Sequence, residues 1–263
     1  MLPYEFRFER RLQTARWLGP SLPFVAIAGA LFVGALILLA TGRNPLTGYV
    51  ALFQAGFVKP GALTATLLSA TPLIFTGLAA ALAFRIRAWN IGGDGQLMMG
   101  ALGAATVGIA LGHHGLWISL PLMVLAGALG GALWAAIPAY FRAKSGTSEV
   151  LTTLMMNYIA PLFLGYLIFS SKSYWRDLTS PGAKVFPQAR VMDQAAFWPS
   201  FGTDIVVPFG FLLAVGMAIL MSVILRTTIY GFVVQVTADS PSAAEYSGIR
   251  SNRVFLIVFL ASA

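Results

Sequence analysis

Long apolar stretches recur along the whole chain and are separated by short polar segments. A bilayer core about 30 Å thick requires about 20 consecutive apolar residues in a helix. One of the uncharged windows is long enough for two such helices, with a natural turn at 113–115. The pattern therefore predicts six membrane spans and the start of a seventh. The windows without Asp, Glu, Lys or Arg are 17–42, 60–84, 95–141, 150–171 and 205–225, and a last one opens at Val254.

The apolar stretches do not alternate between polar and apolar positions, as strands of a membrane β-barrel would. Residues 31–40 and 205–225, for example, are apolar at nearly every position. We therefore expect an all-α fold, a polytopic transmembrane helix bundle, with residues 1–263 forming a single membrane domain. The apolar stretch that opens at Val254 is too short to cross a bilayer. For that reason we expect the sequence to be truncated at its C-terminal end.

The basic residues predict how the spans are oriented. Residues 1–16 are rich in arginine, and a cytoplasmic N-terminus would place most of the Lys and Arg residues on the cytoplasmic side, where they are usually in excess. This orientation makes 171–204 an external loop and 226–253 a cytoplasmic loop. A cleaved signal peptide is the rival interpretation of residues 1–42, but their apolar run is too long. We expect an uncleaved first span.

Composition narrows the classes of function. Hydrophobic residues make up 58% of the chain and charged residues 10%, against about 25% charged residues in ordinary soluble domains. The formal net charge is +8, but the basic residues lie between the spans, so we expect membrane lipid and no nucleic acid as a partner. The absence of cysteine excludes disulfides and thiolate metal sites.

A glycine-rich segment, residues 90–96, interrupts the apolar pattern between the second and third predicted spans. Several glycines so close together disfavour a continuous helix, so the backbone is expected to open here. Open backbone at membrane depth is tolerated where it faces protein or a water-filled path, and a cytoplasmic turn is the alternative. A nucleotide-binding loop is disfavoured because no strand pattern precedes the segment. The candidate path residues here are Asn90, Gly92, Gly93, Asp94 and Gln96.

The fifth predicted span carries polar residues well inside its apolar run. Thr153 and Asn157 are four residues apart and therefore share one helical face. Pro161 lacks an N–H group, which leaves the carbonyl of Asn157 without its helical partner. Polar groups at this depth mark a path or form interhelical hydrogen bonds, and both interpretations stay open. In the preceding span, Gly127 and Gly131 have the spacing of close helix packing.

A short helix is predicted in the loop 226–253. Ser240 suits the N-cap, Pro241 the first helical position and Gly248 the stop. Two turns of helix are unstable alone in water, so this helix must dock on its own chain or in a groove of a soluble partner. The candidate docking residues are Ser240, Pro241, Ala243, Ala244, Glu245, Tyr246, Gly248 and Ile249.

Three blocks in this order resemble the permease subunits of bacterial ABC importers for nucleosides and simple sugars, relatives of the branched-chain amino acid permeases. The similarity covers about residues 60 to 263. This chain departs from the family in having Asp94 where Glu is usual, and in the sequence of 237–241. The matching residues are Pro72–Leu78 leading into Asn90–Gln96; Ser148–Val150 with Thr153, Met155 and Asn157–Ala160; and Gly231, Phe232, Ala243, Ala244, Tyr246, Gly248 and Ile249.

The resemblance implies a transport subunit and not an enzyme. It implies that the 240–248 helix couples to a cytoplasmic ABC ATPase that uses ATP and Mg²⁺, while this chain binds no cofactor or metal itself. It also implies a second permease chain, identical or related, an external solute-binding protein, and a place in the bacterial inner membrane. Within this interpretation the Asn90–Gln96 segment and the polar face with Thr153 and Asn157 form part of the translocation path.

The sequence alone keeps two rival classes open. A secondary transporter or channel for a small polar solute would need its own ion coupling, and Asp94 is the acidic candidate near the membrane interior. An intramembrane enzyme would need a nucleophile with a base, or a metal cluster, and neither is visible inside a predicted span. The Walker motif is also absent, so ATP must be hydrolysed by another subunit.

Overall fold

The computed structural model describes residues 18–202 and 206–263, and the basic segment 1–16 lies outside these ranges. The fold is all-α, as predicted. The helices are α1 (Leu18–Ala40), α2 (Pro45–Phe53), α3 (Ala62–Arg85), α4 (Gly93–Leu111), α5 (Leu116–Ser145), α6 (Glu149–Gly165), α7 (Pro181–Val185), α8 (Phe209–Thr227), α9 (Ile229–Asp239), α10 (Pro241–Tyr246) and α11 (Ser251–Ala261). A two-stranded antiparallel sheet pairs β1 (Ser200–Phe201) with β2 (Val207–Pro208).

Six helices in the described ranges are long and apolar enough to span a membrane, which confirms the predicted number. They cover Ser21–Ala40, Ala62–Arg85, Gly93–His114, Leu116–Ser145, Glu149–Ser170 and Phe209–Thr227. The fifth is completed by a π-helical turn, Tyr166–Ser170. The predicted start of a seventh span corresponds to the shorter apolar helix α11. Outward-facing apolar side chains on these helices are exposed, as expected where lipid replaces water as the solvent.

The chain divides into two compact units, 1–63 and 64–263. In the first unit α1 is followed by α2, whose N-cap Asn44 accepts a hydrogen bond from the Leu46 N–H at 2.9 Å. The Tyr49 hydroxyl donates to the Leu31 carbonyl at 2.5 Å and lies beside Gly34. The sequence pattern did not predict α2, which lies in the segment that joins the first two predicted spans.

In the second unit, α4 and α5 approach so closely that some of their glycines leave no room for a Cβ atom. A Cβ atom on Gly100 would lie 3.0 Å from the carbonyl oxygen of Gly127, and a Cβ atom on Gly103 would collide with the carbonyl oxygen of Ala126. These contacts confirm the close helix packing predicted from Gly127 and Gly131.

The buried core of the second unit joins the ends of α3 and α5 to the segment α9–α11. Small and branched side chains dominate this core, so the four helices approach closely. Because α9 contributes the buried Val234 to this core, the loop predicted to be cytoplasmic is packed against the spans. The core residues are Leu82, Ala83, Ile86, Ala88, Ala135, Ala139, Val234, Val258 and Phe259.

We predict that Gly103→Ala lowers the free energy of unfolding by about 1–3 kcal/mol, the usual cost of overpacking, because its methyl group would meet backbone. Gly216→Ala in α8 is the matched control: nothing lies within 4 Å of the added Cβ, and alanine favours a helix by about 1 kcal/mol relative to glycine. The thermal unfolding midpoint in detergent checks both variants. Equal midpoints would contradict the packing assigned to α4 and α5.

Candidate functional site

The turn after α3 brings the chain back toward the interior of the helices. The Ala88 N–H donates to the Ala83 carbonyl at 3.1 Å, and Arg87 takes a left-handed conformation with φ of 56°. This is the Schellman arrangement that ends many helices, usually with glycine at the left-handed position. Arg87 lies 3.9 Å from Asp239 across the same end of the unit, with both side chains largely exposed. The backbone then runs without helix from Ala88 to Ile91.

Asn157 caps the N-terminus of α4 from another helix. The N-cap residue of α4, Gly92, has no side chain that could accept a hydrogen bond from the first turn. The Gly95 N–H donates instead to the Asn157 Oδ1 at 2.8 Å, and the Asn157 Nδ2 donates to the Ile91 carbonyl at 2.6 Å. A side chain from α6 therefore satisfies backbone groups that the open segment exposes.

A pair of side-chain amides closes the same segment. Asn90 and Gln96 donate to each other, at 3.1 Å from the Asn90 Nδ2 and 3.0 Å from the Gln96 Nε2. The Asn90 Oδ1 also accepts from the Gly92 N–H at 3.0 Å, and its Nδ2 donates to the Ser262 Oγ at 3.1 Å. Gln96 is only 3% exposed. This network fixes the open segment against α4 and the end of α11.

Two glycines of the segment provide space for these contacts. A Cβ atom on Gly92 would lie 3.1 Å from the Cβ of Thr153, and one on Gly95 would lie 3.0 Å from the Nε1 of Trp134. The sequence predicted that the backbone opens across the glycines. The structure places the opening just before them, and Gly93, Asp94, Gly95 and Gln96 already form the first turn of α4.

The segment lies far along the helices that hold it. Glu149 starts α6 and forms an ion pair with Arg142 near the end of α5. Asn157 follows eight residues later, about 12 Å along a helix that rises 1.5 Å per residue. Ser262 is likewise about 17 Å along α11 from Ser251. For comparison, half the thickness of a bilayer core is about 15 Å.

A cavity of about 180 Å³ opens beside the segment. Its wall consists of Thr76, Ala79 and Ala80 from α3, and of Asn90, Ile91, Gly93, Asp94 and Gln96. Four of the seven path candidates named from the sequence therefore meet at one cavity. The other three, Gly92, Thr153 and Asn157, do not line it. Thr153 is fully buried, and its hydroxyl donates to the Glu149 carbonyl at 2.6 Å.

Thr76 is the polar residue of the cavity wall that the sequence analysis did not name as a candidate. Its hydroxyl donates to the Pro72 carbonyl at 2.9 Å, which leaves the lone pairs of the oxygen available. The signal was present in the matching run Pro72–Leu78, where Thr76 is the single polar side chain. Within the described part of the chain, no group of His, Asp and Glu could hold a metal ion.

Helix α10 has the local structure that the sequence predicted. The Ser240 Oγ accepts from the Ala243 N–H at 3.3 Å, Pro241 occupies the first turn, and Gly248 has a φ of 83°. The Ile249 N–H donates to the Ala244 carbonyl at 2.9 Å, which ends the helix.

One face of α10 is attached to its own chain and the other is open. Ala244 is fully buried, and the Ser251 Oγ donates to the Pro241 carbonyl at 3.1 Å. Tyr246 is 96% exposed. Ala243 and Glu245 are also exposed. The helix thus docks on its own chain through a narrow contact, and most of its surface is exposed.

The long segment between α6 and α8 uses two of its tryptophans internally. The Trp175 Nε1 donates to the Thr106 Oγ1 at 2.9 Å, and the Trp198 ring lies 5.8 Å from that of Phe209. Val185, Phe186 and Val191 are instead 88%, 71% and 77% exposed. Residues 203–205 lie outside the described ranges.

Comparison with known proteins assigns the chain to a protein family. The profile described as branched-chain amino acid transport system / permease component matches residues 62–263. The chain belongs to this permease family. It is a multi-pass membrane protein and a transport subunit rather than an enzyme, and the family supports the ABC importer interpretation over a secondary transporter or channel.

Three curated proteins are similar to this permease. The glucose ABC transporter permease of Haloferax volcanii is 32% identical over 97% of this chain and 68% of its own length. A nucleoside ABC transporter permease of Lactococcus lactis is 31% identical over 90% and 65% of the respective chains. A guanosine ABC transporter permease of Bacillus subtilis is 32% identical over 92% and 68%. The chain spans about two thirds of each relative. No solved structure gives a significant match.

We predict that Asn157→Leu lowers the free energy of unfolding of the permease by about 2–3 kcal/mol, since it removes two hydrogen bonds and leaves the Gly95 N–H and the Ile91 carbonyl without partners. Tyr158→Leu, at a neighbouring exposed position of α6, is the control and should unfold like the wild type. Thermal unfolding in detergent measures both. If the two variants unfold at the same temperature, Asn157 does not cap α4.

Proposed function

We propose that the permease carries nucleosides or simple sugars into a bacterial cell, powered by a separate ATPase. The observation that carries this proposal is the open segment 88–91 with its cavity. The segment is held by Asn157, about 12 Å along α6 from the Arg142–Glu149 pair. The three relatives described above are, by their printed names, permeases for glucose, nucleosides and guanosine. Their solutes are uncharged molecules that form many hydrogen bonds.

The open backbone of this segment favours a translocation path. Interrupted helices at membrane depth occur where the freed backbone groups face protein or a water-filled cavity, and transporters use such places as solute sites. Here Asn157 and Asn90 satisfy backbone groups of the open segment and of the first turn of α4, while the adjoining cavity presents Thr76 and Asp94. We propose that the cavity belongs to the translocation path. In this proposal Gly92, Thr153 and Asn157 do not contact the solute but hold the segment that lines the cavity.

Coupling to the ATPase is assigned to α10. Its exposed Ala243, Glu245 and Tyr246 would fit a groove of a cytoplasmic ABC ATPase, which binds ATP and Mg²⁺, while Ser240, Pro241, Gly248 and Ile249 define the helix ends. The buried Ala244 would transmit motion to the permease. The route inward is α11, which contacts α10 through Ser251 and the open segment through Ser262. Nucleotide binding by the ATPase would move these rigid elements. The cavity would then open first to one side of the membrane and then to the other.

Further partners complete the proposed importer. A second permease chain, identical or related, would form the other wall of the path. An external solute-binding protein would deliver the solute to the segment 171–204, where the exposed apolar residues Val185, Phe186 and Val191 offer contacts. The proposed location is the bacterial inner membrane, with the N-terminus inside.

In the transporter reconstituted with its ATPase and binding protein, we predict that Tyr246→Arg reduces ATP-driven uptake of uridine or glucose at least about tenfold. A buried aromatic contact at an interface is worth about 2 kcal/mol or more, and replacing it by a charge removes it. Tyr246→Phe, which keeps the ring, should retain most of the uptake. The thermal unfolding midpoint of both variants should be unchanged, because the side chain is 96% exposed.

Two results would contradict the proposed function. Uptake at the full rate in the absence of ATP would exclude dependence on an ATPase. Wild-type uptake in both Tyr246→Arg and Glu245→Arg would remove α10 as the coupling element.

A further inference from the structure

The polar side chains that line the cavity or lie beside it fall into two groups when their hydrogen bonds are counted. Both N–H groups of Asn90 are donated and its oxygen accepts twice. The side-chain amide of Asn157 accepts a hydrogen bond from one backbone N–H group and donates one to a backbone carbonyl. Gln96 pairs with Asn90 and is almost completely buried. These amides are engaged in holding the open segment, so they have little capacity left for a solute.

Asp94 belongs to the other group. It is exposed, it is the second residue of α4, and it lines the cavity. Its carboxylate forms no hydrogen bond or ion pair with another residue in the ranges 18–202 and 206–263. It is also the single charged residue of the described cavity wall. The N-terminal end of a helix favours a negative charge, which explains why the carboxylate is tolerated there.

The cavity also offers a second acceptor. The hydroxyl hydrogen of Thr76 is engaged with the Pro72 carbonyl, so toward the cavity its oxygen can only accept. Asp94 and Thr76 line the cavity from two different helices, α4 and α3. A solute that satisfies both must present hydrogen-bond donors, and a negatively charged group would be repelled by the carboxylate.

We propose that Asp94 is the solute-binding residue of this cavity, that it accepts hydrogen bonds from neighbouring hydroxyl groups of an uncharged solute, and that its charge rejects phosphorylated solutes. This inference rests on the proposed function and extends it by naming the chemical group that is recognised. Neighbouring hydroxyl pairs occur both on the ribose of a nucleoside and on a sugar ring. One carboxylate can therefore serve either class of solute.

The test compares Asp94→Asn, which has nearly the same shape without the charge, with Asp94→Glu, which keeps the carboxylate. Uptake of labelled uridine and of labelled glucose is measured in the reconstituted transporter, together with ATP hydrolysis. For whichever solute the wild type carries, Asp94→Asn should lower uptake about tenfold or more, the size of one hydrogen bond to a charged group. Asp94→Glu should restore most of the uptake, and the ATP hydrolysis that solute stimulates should fall and recover in parallel with uptake.

Binding to the detergent-purified complex of permease and ATPase, without the binding protein, separates recognition by the cavity from delivery. In the wild type, unlabelled uridine or glucose should displace the labelled solute, whereas 2′,3′-dideoxyuridine and uridine monophosphate should not. In Asp94→Asn, the difference in affinity between uridine and uridine monophosphate should become smaller. Thr76→Val, a change on α3, should weaken binding in the same direction.

The outcomes distinguish the inference from the proposed function. If the wild type transports uridine or glucose and Asp94→Asn does so equally well, the role of Asp94 is overturned and the importer function stands. If dideoxyuridine displaces the solute as well as uridine does, recognition of hydroxyl pairs is overturned. If the wild type takes up neither solute, the proposed solute class fails together with the inference.

Discussion

Backbone hydrogen bonding at the start of α4 is the constraint on which the site depends. A helix that begins deep among other helices cannot use water to satisfy its first N–H groups, and each unsatisfied group in such surroundings costs several kcal/mol. The permease meets this requirement with Asn157, which reaches from α6 to both the Gly95 N–H and the Ile91 carbonyl. With the backbone satisfied in this way, the chain can remain open from Ala88 to Ile91 and form one wall of a cavity.

The core holds α11, which connects this wall to α10. Val258 and Phe259 of α11 are fully buried against the ends of α3 and α5. Arg142, paired with Glu149, also lies over the ring of Phe255 at 4.8 Å. Helix α11 is therefore held along its length, with α10 at one end and Asn90 at the other. A packed interior moves as a unit rather than deforming continuously, which suits an element that must transmit displacement.

The features that could be predicted from the sequence are those with a local cause. The spans follow from the length of uncharged runs, and α10 follows from Ser240, Pro241 and Gly248, whose effects act within a few residues. The cap on α4 could not be predicted in the same way, because Asn157 and Gly95 are 62 residues apart. The polarity of Asn157 was visible, but its partner depends on how α4 and α6 pack.

The same limit explains the other differences. Ala244 and Tyr246 were equivalent candidates in the sequence, yet one is fully buried and the other 96% exposed, because the orientation of a two-turn helix is decided by what it rests on. Thr153 and Asn157 share a helical face, as predicted, but that face packs on the open segment instead of lining the cavity. Helix α2 was missed because its short apolar run is also compatible with a loop between spans.

Arg87, in the turn that follows α3, is subject to two opposing requirements, one on its backbone conformation and one on its charge. Arg87 has a left-handed backbone conformation, which costs a residue with a side chain about 1 kcal/mol relative to glycine. Its charge is one of those from which the sequence predicts that this turn is cytoplasmic. A directed-evolution library screened for heat resistance alone would consequently enrich glycine at this position, whereas one screened for correctly inserted protein would keep arginine.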